Sequence, residues 1–256
     1  MLPALPDSRR RSLLLALAAT AAPARPAWAS EQALVGYTED LPPLNYHDKD
    51  GAQGFSVELL RLMAIQAGLP LTLEVLPWAR ALQLAEANPR GLLFSLTRTP
   101  EREAQYQWVG PISPRRILIY KLASRRDLKL GSLAELKQAK LGVRRGSAAV
   151  QRLLAEGFKP GVNIELGIDD ANNLRKLLAG RMDYLLMLDW AAAWNLRQLQ
   201  LPASTLQPVL DFDVSSAYWY GLRADADSAL VKRLQQALDA IKRDGRYERL
   251  RQRYIS

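Results

Sequence analysis

The sequence predicts an α/β protein built from two lobes. The chain has 256 residues, which leaves room for two domains of about 100 to 150 residues each. Strand-like runs alternate with helix patterns in the order β-α-β-α-β up to residue 94, and a similar alternation resumes at residue 116. With 48% hydrophobic and 24% charged residues, the chain can bury a core and lacks the composition of a disordered protein.

The first half supplies three strands and two helices. Apolar residues crowd one side of the first helix, and we expect Ser56 to be its N-cap and Gly68 its C-cap. The next strand is predicted because "LTLEVL" alternates apolar and polar residues. The predicted strands are residues 33–37, residues 71–76 and a buried strand ending at residues 91–94. The predicted helices are the one between Ser56 and Gly68, with its apolar positions at residues 57–65, and residues 78–87.

The second half repeats this alternation. A strand over residues 116–124 opens it, and Ser132 and Glu135 then have the spacing of a capping box. Residues 140–157 predict a strand, a glycine turn and a helix. Residues 169–188 predict a capped helix followed by a buried strand.

The C-terminal part returns to a strand and then a helix. Residues 214–222 are strand-like, and the final helix has an apolar stripe with spacings of four, four and three residues. The stripe consists of Leu230, Leu234, Leu238 and Ile241.

The N-terminus has the layout of a cleavable signal peptide over residues 1–29. A run of arginines at residues 9–11 precedes ten apolar residues at 13–22, and the small residues Ala27 and Ala29 mark a cleavage site near Ala29. The apolar run is shorter than the about 20 residues that span a bilayer. An ordinary Sec signal and a twin-arginine signal both remain open, and either predicts export to the periplasm.

Charge and cysteine content narrow the possible functions. The formal net charge is +9, and it falls to +6 without residues 1–29, which hold four arginines and one aspartate. The basic residues are dispersed as pairs and are not interleaved with aromatic residues, so nucleic-acid binding is not expected. The chain has no cysteine, which excludes disulfides, thiol catalysis and thiolate metal sites.

Catalytic motifs are absent from the sequence. The only histidine, His47, lies in a polar loop, and no G-x-S-x-G, H-E-x-x-H or P-loop pattern occurs. Asp169 and Asp170 are predicted as a helix N-cap in preference to a metal or acid–base pair. Neither a metal nor another cofactor is expected.

Two segments have the residues that a carboxylate site needs. A guanidinium grips a carboxylate in a bidentate manner, and hydroxyls and free backbone N–H groups at helix starts add donors. Both segments follow predicted strands, where open α/β sheets bind ligands. The first segment offers Ser95, Thr97 and Arg102, the second offers Arg145, Gly146 and Ser147, and Trp78 is a candidate wall of the same pocket.

Residues 33–254 resemble the family 3 extracellular solute-binding proteins, the periplasmic receptors of polar amino acid transporters. Order and spacing of the matching segments carry the resemblance: "GYTEDLPPLNY", "GAQGFSVELLRLM", "SLTRTPERE", "YQWVGPI", "KLGVRRGSAA", "LLAGRMDYLL", "YWYGLR" and "DGRYERLRQRY". The resemblance implies a type II periplasmic binding protein fold, in which each lobe is a mixed sheet flanked by helices. It implies a discontinuous first lobe, with residues 30–113 and 214–256 in that lobe and residues 114–213 in the second.

The resemblance also assigns roles to residues. It implies that Ser95, Thr97 and Arg102 clamp the α-carboxylate of the ligand together with Gly146 and Ser147. Trp78 then helps to wall the first-lobe pocket.

Two positions depart from the family pattern. The aromatic lid of the family falls at Leu41. The acid that pairs with the α-amino group falls at Leu188, with Asp189 one position later, and a one-residue shift in a strand turns a side chain to the other face.

The expected function is therefore capture of a small carboxylate-bearing ligand by hinge closure. We expect a monomeric protein that delivers this ligand to an inner-membrane ABC permease. An amino acid is the favoured ligand, and the departure at Leu188 and Asp189 leaves another small carboxylate open. Two alternatives remain open. One is an enzyme on the same scaffold, similar to cyclohexadienyl or arogenate dehydratases, for which Glu39 and Asp40 are the candidate acids. The other is a ligand sensor for a signalling partner.

Overall fold

A computed structural model describes residues 33–255. The predicted signal peptide lies outside the described residues. Among residues 33–255, no helix is both long enough and apolar enough to cross a bilayer. The strands are β1 Leu34–Thr38, β2 Tyr46–Asp48, β3 Gly51–Gln53, β4 Leu71–Val75, β5 Gly91–Thr97, β6 Tyr106–Leu122, β7 Leu141–Arg144, β8 Ile164–Gly167, β9 Tyr184–Leu188 and β10 Leu206–Arg223. The α-helices are α1 Phe55–Ala67, α2 Trp78–Ala87, α3 Ala148–Ala155, α4 Asp170–Leu178, α5 Asp189–Gln198, α6 Ser228–Arg243 and α7 Arg246–Ile255, with 3-10 turns at Pro100–Gln105, Glu135–Gln138 and Ala203–Thr205.

Eight strands form one mixed sheet in the order β4-β1-β5-β10-β6-β9-β7-β8, and β2 and β3 form a separate hairpin. The predicted α/β class is therefore confirmed. Strands β6 and β10 have 17 and 18 residues, lie side by side in the middle of the sheet and pair antiparallel along their length. Register shifts in this pair, one of them between Asp213 and Ser216, bend the two strands.

The sheet has two halves that share these long strands. On one side β4, β1 and β5 are parallel, and β5 pairs with the C-terminal part of β10, which includes Tyr218 to Leu222. On the other side β9, β7 and β8 are parallel, and β9 pairs with β6 between Ile117 and Tyr120. The domain boundaries predicted from the sequence thus fall inside β6 and β10.

Helices cover both faces of the first half. Leu92 and Phe94 of β5 belong to the main core with α1, α6 and α7, whereas Leu93 packs on the other face with Ala81 and Ala85 of α2. The predicted apolar stripe of α6 is confirmed. All four of its members, Leu230, Leu234, Leu238 and Ile241, are buried.

Two local features differ from the sequence expectations. Helix α1 has Gly54 as its N-cap, with φ of 115°, and Ser56 lies buried inside the helix, so the predicted Ser56 cap was wrong. A Cβ at Gly54 would lie 2.5 Å from the carbonyl oxygen of Leu44, so only glycine fits there. Of the predicted capping box, only the hydrogen bond from the backbone N–H of Glu135 to Oγ of Ser132 forms, at 3.3 Å. The Glu135 carboxylate instead accepts from the Ser132 hydroxyl and from the backbone N–H of Gly131, and the segment leads only to a 3-10 turn with Ala134 at its N-cap.

Candidate functional site

A cavity of about 320 Å³ lies where the two halves of the sheet meet. Its lining comes from the ends of β1, β5, β7 and β9, from the first turns of α2, α3 and α4, and from the middle of β6 and β10. This is the size of a small-molecule site, and strand ends and helix starts are where α/β folds bind ligands.

Six of the eight residues predicted for the site line this cavity: Trp78, Ser95, Thr97, Arg102, Gly146 and Ser147. The other two do not. The side chain of Arg145 is exposed, and Asp189 opens helix α5, where its carboxylate accepts a hydrogen bond from the backbone N–H of Trp190 at 2.8 Å. Leu188, which precedes Asp189, does line the cavity.

Ser95 reshapes the end of β5. Its φ of 56° is left-handed, a conformation that costs a residue with a side chain about 1 to 3 kcal/mol. The side chains of β5 alternate up to this point, but Leu96 lies in the same apolar cluster as Leu93, because the turn at Ser95 reverses the alternation. The Ser95 hydroxyl contacts Oδ1 of the buried Asn45 and lies 3.0 Å from Oγ of Ser56. It is thus tied to the core of the first half.

Arg102 lines the cavity without an acidic partner. It belongs to the 3-10 turn that Pro100 begins, and its Nη1 donates to the carbonyl oxygen of Thr97 at 3.3 Å. Among the described residues, no carboxylate lies within 4.0 Å of its guanidinium. Most of its hydrogen-bonding capacity therefore remains for a ligand.

Ser147 is the second donor of the cavity that is available to a ligand. It occupies the N-cap position of α3, yet its side chain makes no capping hydrogen bond, and its Oγ is buried without a partner among the described residues. A buried polar group without a partner is costly, so such a group in a cavity points to a ligand. Ala148 and Ala149, the first residues of α3, also line the cavity, where helix N–H groups favour anions.

Sequence reasoning missed three charged residues of the cavity: Arg115, Arg144 and Asp170. Arg115 forms an ion pair with Asp213. Arg144 ends β7, where the turn that carries Gly146 and Ser147 begins. A signal was available, since a charged residue at the end of a strand and before a glycine turn faces the same edge as the turn.

An ion pair joins the two halves across the cavity. Nη2 of Arg144 lies 3.2 Å from Oε2 of Glu39 and also donates to the carbonyl oxygen of Asp40 at 3.2 Å. Glu39 follows β1 in the first half, and Arg144 ends β7 in the second. Burial raises the pKa of Glu39, and the neighbouring Arg144 opposes this rise.

Two further groups in the cavity have shifted pKa values. Burial raises the pKa of Asp170 to about 6, an effect that Arg144 opposes and Asp169 reinforces. Burial also raises the pKa of Tyr218 to about 12, against the influence of Arg115. Within residues 33–255, no cluster of three or more His, Asp or Glu side chains is arranged to hold a metal ion.

The fold and this cleft define a periplasmic binding protein architecture. The chain belongs to the bacterial extracellular solute-binding proteins, family 3, whose family model matches residues 34–256. The arginine-binding extracellular protein ArtP of Bacillus subtilis (strain 168) is 23% identical over 229 residues, covering 87% of this chain and 86% of ArtP.

Other relatives of this chain have different roles. The membrane-bound lytic murein transglycosylase F of Pseudomonas syringae pv. syringae (strain B728a) is 24% identical over 226 residues, which cover 85% of this chain but only 44% of that protein. A histidine kinase sensor domain with similarity to periplasmic binding proteins has a TM-score of 0.72 and 22% identity, covering 89% of this chain and 98% of the domain. The fold alone therefore does not fix the role.

Proposed function

We propose that this protein is a periplasmic solute-binding protein that captures a small carboxylate-bearing ligand, an amino acid, and delivers it to an inner-membrane ABC permease. One observation carries the proposal. Arg102 and the Ser147 hydroxyl line one cavity, and neither has an acidic or capping partner among the described residues. A guanidinium, a hydroxyl and a helix start together make a site for a carboxylate.

The carboxylate site draws on both halves of the protein. Arg102 and Thr97 belong to the first half, whereas Gly146 and Ser147 lie between β7 and α3 in the second. A ligand that contacts both sets favours the closed arrangement, because its contacts are complete only when the cleft closes. This supports capture by closure.

The hinge that we propose lies in the two long strands. The lobes are residues 30–113 with 214–256, and residues 114–213, so the boundaries cut β6 and β10 at their middle. Hinges use a few residues that absorb the change in backbone angles, and the register shift between Asp213 and Ser216 marks such a place. Closure then forms the surface that a permease recognises.

The cellular role rests on the signal-peptide prediction and on the family. The relative ArtP is an extracellular binding protein for arginine, which supports an amino acid as the ligand class here. We further propose that the protein acts as a monomer, since one chain supplies both walls of the cavity.

A dehydratase-like enzyme is the second candidate function, because a specific observation favours it. Glu39 and Asp170 both line the cavity, and burial raises the pKa of both carboxyls. Raised carboxyl pKa values in a cleft are typical of general acids. The Arg144 partner of Glu39 argues against this role, because an arginine stabilises the ionised form.

A thermal-shift screen of the purified protein distinguishes these functions. The compounds are amino acids, polyamines and small organic acids, with prephenate as the enzyme substrate. We expect a rise in melting temperature with carboxylate-bearing compounds and none with polyamines, since binding to the native state raises its stability. Turnover of prephenate would establish the enzyme instead, and the absence of any shift with carboxylates would overturn the binding proposal.

A further inference from the structure

Most of the charged side chains that line the cavity form ion pairs, and one arginine and one aspartate do not. Five charged side chains line it: Glu39, Arg102, Arg115, Arg144 and Asp170. Arg144 pairs with Glu39 at 3.2 Å, and Arg115 pairs with Asp213. Among the described residues, Arg102 and Asp170 therefore remain without an ion-pair partner within 4.0 Å. Arg102 thus offers a cation, and Asp170 offers a carboxylate that contacts no cation, although Arg144 acts on it at longer range. This combination complements a zwitterion.

The carboxylate of Asp170 does not cap helix α4. Asp169 is the N-cap of α4, and its Oδ1 accepts a hydrogen bond from the backbone N–H of Asn172 at 2.6 Å. The carboxylate of Asp170, in the next position, makes no hydrogen bond to any described residue, although it is half-buried. A carboxylate withdrawn from water without a donor is costly, so a ligand that brings a donor to it gains affinity.

The position where an acid is expected to bind the ligand's α-amino group is occupied by Leu188, which cannot bind it. Leu188 presents an apolar side chain to the cavity, and the neighbouring Asp189 is turned to its own helix and bonds the N–H of Trp190. The cavity instead has an acid on another element of the same half, Asp170 at the start of α4.

We propose that Asp170 accepts the α-ammonium group of an amino acid whose carboxylate lies on Arg102 and Ser147. This inference rests on the proposed function, and it adds that the ligand is recognised as a zwitterion. Asp170 is then the residue that rejects simple carboxylic acids, because in their presence its buried carboxylate stays without a donor. The paired charges of Arg144 with Glu39 and of Arg115 with Asp213 keep the rest of the cavity close to neutral.

The test compares amino acids with the same molecules lacking the amino group. The pairs are L-glutamine with glutaramate, L-arginine with 5-guanidinopentanoate, and L-phenylalanine with 3-phenylpropanoate, measured by thermal shift and titration calorimetry. The variants are Asp170→Asn and, as the matched control, Asp169→Asn. The control removes the same charge from the neighbouring exposed position while asparagine keeps the helix cap.

We expect wild type and Asp169→Asn to prefer at least one amino acid over its deaminated partner. In Asp170→Asn, affinity for that amino acid falls about 10-fold to 100-fold, as for a lost charge-assisted hydrogen bond, while affinity for the deaminated partner is unchanged or tighter. Comparison of each pair on the wild-type protein needs no variant, so the inference stays testable if Asp170→Asn does not fold.

Several results would overturn the inference. One is a wild-type protein that binds both members of every pair equally, and another is an Asp170→Asn protein that keeps the full preference. A loss of affinity in Asp170→Asn that is equal for L-arginine and 5-guanidinopentanoate would assign Asp170 to the ligand's side chain. In these cases the carboxylate site of the proposed function survives. If no carboxylate binds at all, the proposed function fails as well.

Discussion

Replacing Arg102 with alanine removes the unpaired cation of the cavity and little else. The guanidinium makes one hydrogen bond, to the carbonyl oxygen of Thr97 at 3.3 Å, and it has no acidic partner within 4.0 Å among the described residues. We therefore expect the unliganded variant to lose at most about 1 kcal/mol of unfolding free energy. Its melting temperature stays within about 4 °C of wild type for a chain of this size.

Ligand binding changes far more. Removing one partner of a buried, hydrogen-bonded charge pair costs about 2 to 5 kcal/mol, which is a loss of affinity of about 30-fold to several thousand-fold. At a concentration 100 times Kd, a ligand stabilises the wild-type protein by about 2.7 kcal/mol. This corresponds to a rise in melting temperature of about 5 to 11 °C. At the same ligand concentration Arg102→Ala gains at most about 0.9 kcal/mol.

The assay is a thermal-shift titration of wild type, Arg102→Ala and Arg145→Ala with the amino acid that stabilises wild type best. Arg145→Ala is the matched control, since Arg145 is exposed and does not line the cavity. The control is expected to keep the wild-type shift. If Arg102→Ala shifts as much as wild type, or if Arg145→Ala loses as much as Arg102→Ala, the carboxylate clamp is misassigned.

Ser147, Glu39 and Asp170 of the same cavity can each be tested by one substitution. In Ser147→Ala the melting temperature without ligand is unchanged or higher, because the substitution removes a buried hydroxyl that has no partner. Calorimetry should show about 3-fold to 10-fold weaker ligand binding, and an unchanged affinity would contradict a role of Ser147 in the carboxylate site. In Glu39→Gln the ion pair with Arg144 is lost, so we expect the unliganded cleft to open. Small-angle scattering should then give the variant a larger radius of gyration than wild type without ligand, but not with it. Superposable scattering profiles of the two unliganded proteins would refute a bridging role for this pair. The folded protein holds a proton on Asp170 from about pH 4 to about pH 6, because burial raises the pKa of this group. Asp170 therefore stabilises the unliganded fold at low pH and loses that contribution as pH rises through about 6. Denaturant unfolding of Asp170→Asn, with Asp169→Asn as control, should lack this pH-dependent component, and a pH profile identical to wild type would count against the raised pKa.

Local sequence patterns were sufficient for most of the fold. The alternation of "LTLEVL" and the stripe of α6 report burial directly, because each strand or helix buries one face. The continuity of β6 and β10 was not predictable in the same way. Gly110, Pro111 and Pro114 interrupt the apolar pattern within β6. A register shift against β10 between Tyr218 and Tyr220 accommodates Gly110 and Pro111, whereas Pro114 pairs in register with Ala217.

Only some residues of the candidate site could be predicted from local sequence patterns. Residues next to turn signals, such as Arg102 after Pro100 and Ser147 after Gly146, were found because the turn places them at a strand end. The sequence pattern predicts Asp170 as part of a helix cap. Only the geometry separates it from Asp169, which alone accepts the capping hydrogen bond.

Long-range partners account for the remaining differences. Arg115 meets Asp213, 98 positions away, and Arg144 meets Glu39 at a separation of 105. No local pattern in the sequence links such positions, because the sheet order brings them together. Which arginines are paired, and which is free for a ligand, is therefore a property of the folded chain.

The crystal structure of the protein with the amino acid that stabilises it best is the most direct test of the carboxylate site. We predict that the ligand lies in the cavity, with its carboxylate within hydrogen-bonding distance of the Arg102 guanidinium and of Ser147 Oγ, and with its ammonium group against Asp170. A ligand bound elsewhere, or one in the cavity with its carboxylate turned away from Arg102, would contradict the proposed function.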